Sequence, residues 1–535
     1  MKVKNKLLTV RFGHVTQPAE GHDRGGGAGV NTKAGLSTSV LALTAWLCAA
    51  QAVAAGADIV ALVDAGQFRR AEREIAATLA STSAKPDERR AAQFERERMR
   101  RIRLDFALSR ADLDAKLKAA IPDASADDVA RWEKSGALER LTIDGEPRYF
   151  NSAVANLLRI DQAAAARNRG KPPSAGDGPL YRLAPYHEEV RKLALASGRA
   201  NVAPRRVKIG YSLTVNADAV PAGETVRAWL PFPRPQAGRQ EAIRLVASEP
   251  ARHEIAPEST PQRTVYLEKT AQAGKPTQFS IDYELVVYAT YNAIDADKVT
   301  AAPSTPELAS HLGERRPHIV FTDAMRAYSR KIVGDEKNPY RIAQKLFAAV
   351  DATPWASARE YSTISNIGDY ALHAGHADCG QQTLLLIALL RLNGIPARWQ
   401  SGMVFSDSGY DNIHDWGQVY LPPYGWVPMD VTTGRLSADK GNGGDPSMEW
   451  FYLGGLDNWR IAFNDDWSRD FAPAKRHFRS DTVDSQRGEA EWDGGNLYYD
   501  QFDYHFEWTL LPAGDPTRTA SFDPRQQATR KRATP

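Results

Sequence analysis

The chain has 535 residues, with 68 basic and 65 acidic side chains and a formal net charge of +3. That near-neutral balance does not imply a nucleic-acid partner, and none is expected; the length implies about two to four domains. Two cysteines, Cys48 and Cys379, exclude a disulfide framework and a multi-cysteine zinc site.

Residues 1–54 read as leader and signal peptide. Val40 to Ala50 (VLALTAWLCAA) is an apolar core preceded by Lys33 and followed by Ala52-Val53-Ala54, an A-x-A cleavage pattern. The run is short for a transmembrane span, with an uncleaved anchor as the other reading. Cleavage would discard Cys48 and leave a periplasmic or secreted chain without stable membrane insertion.

Residues 55–169, rich in Ala, Arg, Glu and Leu, are expected to be a helical N-terminal region. Met99, Ile102 and Phe106 form an i, i+3, i+7 stripe. The arginines around them (Arg96, Arg98, Arg100, Arg101, Arg103) interleave with Glu95, Glu97 and Asp105. That mixture predicts a solvated helix face rather than a membrane-binding one. Residues 170–202 read as a linker and a short helix around His187 to Leu195. From 203 to 300 the apolar period becomes two, as in Val207-Ile209-Tyr211-Leu213-Val215. Further strands are expected at Val226 to Pro231, Thr264 to Glu268 and Phe279 to Val287, giving an antiparallel β-sandwich module of immunoglobulin-like type. Such a module serves docking or spacing, or binds a partner.

Residues 301–435 carry the chemistry. Asp378 with Gln381 three residues on is a variant capping box, so a helix should begin at Cys379 and run through Leu384 to Leu390. A thiol in the first helical turn faces the positive dipole end, which favours thiolate. Asn393-Gly394-Ile395-Pro396 ends the helix. Strands are then expected at Ala397 to Phe405, Ile413 to Leu421 and Trp426 to Val431, with a turn-rich loop at Ser406 to Asn412 and a turn at Pro422 to Gly425. His414 and Asp430 lie toward the same end of that last hairpin. An odd number of unpaired turn residues would put both side chains on one face as diagonal neighbours. The order Cys379, His414, Asp430 then supplies nucleophile, base and orienting carboxylate for attack on an acyl carbon.

Residues 436–512 form an aromatic-rich extension, with five of the twelve tryptophans between Trp450 and Trp508. Packing against the catalytic domain is the expectation, sugar stacking the alternative. Residues 513–535 are expected to be a disordered tail.

The words GHADCGQQTLLLIALLRLNGIPARWQSG, IHDWGQVYLPPYGWVPMD and the upstream PWASAREYSTISNIGDYAL resemble the transglutaminase-like domain of the papain-type cysteine fold, in its bacterial exported form. The aromatic tail QRGEAEWDGGNLYYDQFDYHFEW extends the resemblance. It implies a multidomain α+β protein with a Cys379–His414–Asp430 enzyme acting on amide carbonyls of a protein or peptide through an acyl-enzyme. Hydrolysis is expected over transfer to amines; an inactive envelope scaffold is the alternative. The backbone N–H of Cys379 is one natural oxyanion donor. The resemblance offers the Trp355 indole as a further oxyanion-hole candidate, against a plain core aromatic. No cofactor is expected, and no metal: His373 and His376 have neither a second cysteine nor an H-E-x-x-H spacing beside them.

Overall fold

The computed structural model describes residues 59–170, 185–405, 412–436 and 448–511, and the backbone of 518–522. The export segment, most of the linker after Gly170 and the loop 406–411 lie outside the described residues.

The N-terminal region packs helices Phe68–Ala80, Pro86–Asp105, Arg110–Ala120, Ala126–Ser135 and Ala153–Ile160 around one core. Ser109 with Asp112, and Ser125 with Asp128, form reciprocal capping boxes that start two of them. The Met99, Ile102 and Phe106 stripe is buried in this core. The helices expected here are accompanied by one hairpin, in which Arg140–Ile143 pairs with Glu146–Tyr149 around Asp144-Gly145. One expectation is corrected. The arginine-rich helix is not solvated on all its charged positions. Arg98 and Arg101 are buried at 2 % and 0 % exposure, because Arg98 pairs with Glu95 and Asp64 and Arg101 with Glu97.

The β-sandwich has two antiparallel sheets. In one, the long strand Asn201–Val215 lies between Thr277–Tyr291 and Phe502–Leu510. In the other, Thr225–Pro231 lies between Thr264–Thr270 and Glu489–Trp492. Inward residues alternate along the long strand, as its period of two requires. The C-terminal aromatic stretch is thus woven into both sheets, and Phe506 and Trp508 sit in the sandwich core. Phe451 and Tyr452, from the same stretch, pack into the neighbouring core instead. Arg518–Phe522 pairs beside Phe502–Leu510 as a further strand, inside the stretch expected to be a disordered tail.

That neighbouring core surrounds the helix Cys379–Leu392, with helices Asp323–Val333, Pro339–Asp351 and Ile367–Ala374 about it. A four-stranded sheet follows in the order Gly425–Met429, Asn412–Leu421, Ala397–Val404, Arg460–Asn464. The first three are the strands expected from sequence. The fourth arrives from beyond the hairpin, and Met403, Phe405, Ile461 and Phe463 plug this sheet into the sandwich core. Among the described residues no helix is long and apolar enough to cross a membrane.

Candidate active site

The nucleophile helix starts where its capping box places it. Asp378 Oδ1 accepts from Gln381 N at 3.0 Å, and Asp378 N donates to Gln381 Oε1 at 3.2 Å. Cys379 is therefore the first helical residue, and the apolar run Leu384 to Leu390 anchors the helix in the core. Among the described residues Cys379 is the free thiol.

The hairpin register runs from Leu421↔Gly425 to Gly417↔Met429, leaving three turn residues unpaired. His414 and Asp430 consequently share a face, and His414 Nε2 lies 2.9 Å from Asp430 Oδ2. Asp430 is held by several further donors. Thr432 N and Thr433 N each donate to Oδ1 at 3.1 Å, Thr433 Oγ1 donates to Oδ2 at 2.7 Å, and Arg460 Nη1 also donates to Oδ2. Arg460 Nε in turn donates to Asp457 Oδ2 at 2.9 Å, and Tyr452 Oη reaches the same oxygen at 2.9 Å. Burial alone would raise the Asp430 carboxyl, but Arg460 and His414 hold it well below the usual carboxylate range. A carboxylate only accepts, so Nε2 of His414 carries a proton, and in a neutral ring Nδ1 is the basic nitrogen. That Nδ1 is buried and, among the described residues, has no hydrogen-bond partner. Trp416 stacks on the ring, with centroids 6.0 Å apart.

The structure does not hydrogen-bond Cys379 to His414. Cys379 Sγ donates instead to Asp415 Oδ2 at 3.3 Å, the next residue along the strand and on its opposite face. Asp415 is fixed from the other side by Gln486 Nε2, 2.9 Å from Oδ1. Tyr361 Oη donates to Asp378 Oδ1 at 2.8 Å and lies 3.3 Å from Asp415 Oδ2. The expected dipole-stabilised thiolate is therefore corrected. Burial, then the charges of Asp415 and Asp378, push the Cys379 thiol up well above its ordinary value. Burial likewise raises Asp378 to about 6 and Asp484 to about 7, the latter helped by Asp481. A helix N-terminus is outweighed where carboxyls surround the thiol.

A cleft of about 170 Å³ opens on Cys379. It is lined by Trp355, Arg359, Glu360 and Tyr361 from one segment and by Asn412, Asp415, Gln486 and Arg487 from others; His414 and Asp430 are not among its lining residues. Trp355 Nε1 is buried without a hydrogen-bond partner among the described residues, and Arg159 lies over its ring at 4.9 Å. His373 is exposed and turned to Asp369, while the buried His376 turns to the Ala374 carbonyl. Neither lines the cleft.

The Trp355 wall is gripped by the helical region. Asn156 accepts from Ser357 N at 3.0 Å and donates to Ser357 O at 2.9 Å. Asp105 accepts from Glu360 N at 2.9 Å and from Thr363 Oγ1 at 3.1 Å. Arg98 reaches the Thr363 carbonyl, and Arg101 reaches the carbonyls of Arg479 and Ser480. Sequence reasoning missed Asn156, Asp105, Asp415, Gln486 and Arg460. Only the adjacency of Asp415 to His414 was a local signal for any of them.

No curated protein matches the chain. Among solved structures it is similar to a candidate cysteine protease from Cytophaga hutchinsonii, at 16% identity, 60% of this chain, 99% of that one and a TM-score of 0.39. It is also similar to the periplasmic domain of TgpA from Pseudomonas aeruginosa, at 15% identity, 45% of this chain, 90% of that one and a TM-score of 0.23. Residues 326–431, which contain Cys379, His414 and Asp430, match the family model of the transglutaminase-like superfamily, so this segment of the chain is a transglutaminase-like domain.

Proposed function

We propose that this protein is an exported cysteine enzyme that acts on amide or peptide bonds of a protein substrate through an acyl-enzyme, with hydrolysis favoured over transfer to an amine. The observation that carries this reading is the buried His414–Asp430 pair, with Nδ1 left as a lone-pair base, in a domain whose cleft opens on Cys379. The reaction requires Sγ to leave Asp415 and meet His414, which lies on the other face of the strand in the free protein; the Sγ–H bond then breaks and its proton goes to His414 Nδ1, while Sγ bonds the carbonyl carbon. The carbonyl π pair moves to oxygen, where the Cys379 backbone N–H and the unpartnered Trp355 indole N–H are the candidate donors. Collapse of the intermediate expels the amine, which takes the proton from His414. Water then attacks the thioester by the same route in reverse. Asp430 stays ionised throughout and stabilises the imidazolium. Export rests on the apolar run and the A-x-A pattern, and N-terminal sequencing of the native protein should begin near Ala55.

One observation favours a second reading, a catalytically inactive scaffold: in the free protein the thiol is bonded to Asp415 and not to His414. The two separate on incubating wild-type and Cys379→Ala protein with a glutamine-bearing peptide pool and a tagged primary amine. Cysteine-dependent cleavage without tag incorporation supports hydrolysis. Tag incorporation with ammonia release makes the enzyme an acyltransferase, and no difference between the two proteins supports the scaffold.

A further inference from the structure

The geometry points to Asp415 as a further catalytic residue, the group that holds Cys379 as a hydrogen-bonded neutral thiol in the free enzyme until His414 takes its proton. This rests on the acyl-enzyme reading above.

Strand alternation places His414 and Asp415 on opposite faces of Asn412–Leu421, so in the free protein Asp415, and not His414, is presented to the nucleophile. Sγ takes the Asp415 position, 3.3 Å from Oδ2, while His414 Nδ1 has no hydrogen-bond partner among the described residues. The taken position is built rather than incidental. Gln486 Nε2 donates both to Asp415 Oδ1 at 2.9 Å and to the His414 carbonyl at 2.7 Å, so one amide fixes the side chain and the strand that carries it. Position 380 must be glycine to admit the pair, since a Cβ there would stand 2.7 Å from Asp415 Oδ2 and 2.1 Å from Tyr361 Oη.

The charges around Sγ agree with a neutral thiol. Asp378 stands at the head of its own helix, and Tyr361 comes from the wall segment. Asp481, Asp484 and Arg487 come from the C-terminal loop, and Arg487 is already paired with Glu360 and Asp481. His414 faces the other way on its own strand. A thiolate in this setting would be repelled by carboxyls, and of the two arginines that line the cleft Arg487 is paired with Glu360 and Asp481 and Arg359 lies 4.0 Å from Glu139. Burial, with Asp484 and Asp378, also pushes the Asp415 carboxyl up well above its usual range. Transfer to His414 leaves the protonation of Asp415 unchanged. Asp415 loses the S–H hydrogen bond, Nδ1 gains the proton, and Sγ gains the acyl carbon.

The test is iodoacetamide labelling of Cys379 between pH 6 and 10, read at its tryptic peptide by mass spectrometry. Folded wild type, the same chain unfolded in urea, His414→Ala, Asp415→Asn and Asp415→Ser are compared without substrate. The folded wild type should reach half-labelling above the unfolded chain, whose thiol titrates near about 8.5. Both Asp415 variants should lower that midpoint by at least about one unit, with labelling at pH 7 about tenfold faster. His414→Ala should leave it in place. A folded wild-type midpoint at or below the unfolded one overturns the proposal, even if every variant fails to fold. So does a pattern in which His414→Ala raises the midpoint and the Asp415 variants do nothing. Because labelling needs no substrate, a protein that turns nothing over yet labels as expected sinks the enzyme reading and leaves the Asp415 bond standing.

Discussion

Replacing Arg460 with methionine removes a cation that two buried carboxylates share. Arg460, Asp430 and Asp457 are each no more than 5 % exposed, so water cannot substitute for the guanidinium. Breaking a buried pair by removing one partner costs about 3–5 kcal/mol. The deficit should depend on pH, with a sign fixed by the two carboxyls. Despite burial, Arg460 holds both Asp430 and Asp457 below their ordinary values. In wild type they therefore contribute stability that is present above the unfolded carboxyl value of about 4 and is lost only as pH falls through the lower folded values. Without Arg460 burial dominates and the folded values move above about 4, so the folded variant binds more protons than the unfolded one. Its stability should then fall as pH rises from about 4, by about 1.4 kcal/mol for each unit of upward shift per carboxyl. Urea unfolding followed by tryptophan fluorescence at pH 5, 6, 7 and 8 measures this. The gap to wild type should be smallest at pH 5 and reach about 3 kcal/mol or more at pH 7 to 8. Arg460→Lys, which keeps the charge but not the fork to Asp430, Asp457 and Thr433, should recover part of it. A gap that is constant from pH 5 to 8, or below about 1 kcal/mol, would refute the reasoning.

Gly380→Ala drives a methyl into the Tyr361 hydroxyl and the Asp415 carboxyl, and overpacking of that kind costs about 1–3 kcal/mol. A thermal midpoint equal to wild type would show that the contact yields freely. Asn156→Ala unpairs the Ser357 N–H and C=O, and with Ser357 only part-buried a loss of about 1–3 kcal/mol is expected. Hydrogen exchange should speed up at residues 355–361 while the sandwich strands keep their protection; uniform acceleration would argue for a general loss of stability instead.

What the sequence disclosed was local. The Asp378–Gln381 box, the apolar run behind Cys379 and the hairpin turn all act within a few residues, so the helix start and the His414–Asp430 diagonal could be read directly. The same is true of Val207 to Val215, whose alternation marks a strand without naming its neighbours. Tertiary partners were not legible. Phe502–Leu510 pairs with Asn201–Val215 across most of the chain, and no pattern in either strand specifies the other. Arg460 lies thirty residues past Asp430 in a stretch that reads only as aromatic. The arginine-rich helix was misread because Arg98 and Arg101 look like any charged pair on a helix until the carbonyls they reach are known. The thiol was misjudged for a related reason: the helix start belongs to the sequence around Cys379, whereas Asp415, Asp484 and Gln486 reach it only through the fold.

The order in which the chain is made gives the buried arginines a further consequence. Arg98 reaches a carbonyl 265 residues downstream and Arg101 reaches one 378 residues downstream. During synthesis or passage through a membrane pore, the helix that carries them emerges long before either acceptor exists. It must wait with two guanidiniums unburied. Gln486, which fixes Asp415, comes later still, after the nucleophile, the base and its carboxylate have all appeared. Long-range closure of this kind is slow compared with local helix and hairpin formation. An incomplete chain thus holds every member of the proposed Cys379–His414–Asp430 set without the full lining of the cleft beside Cys379, to which the C-terminal loop contributes Asp481, Gln486 and Arg487.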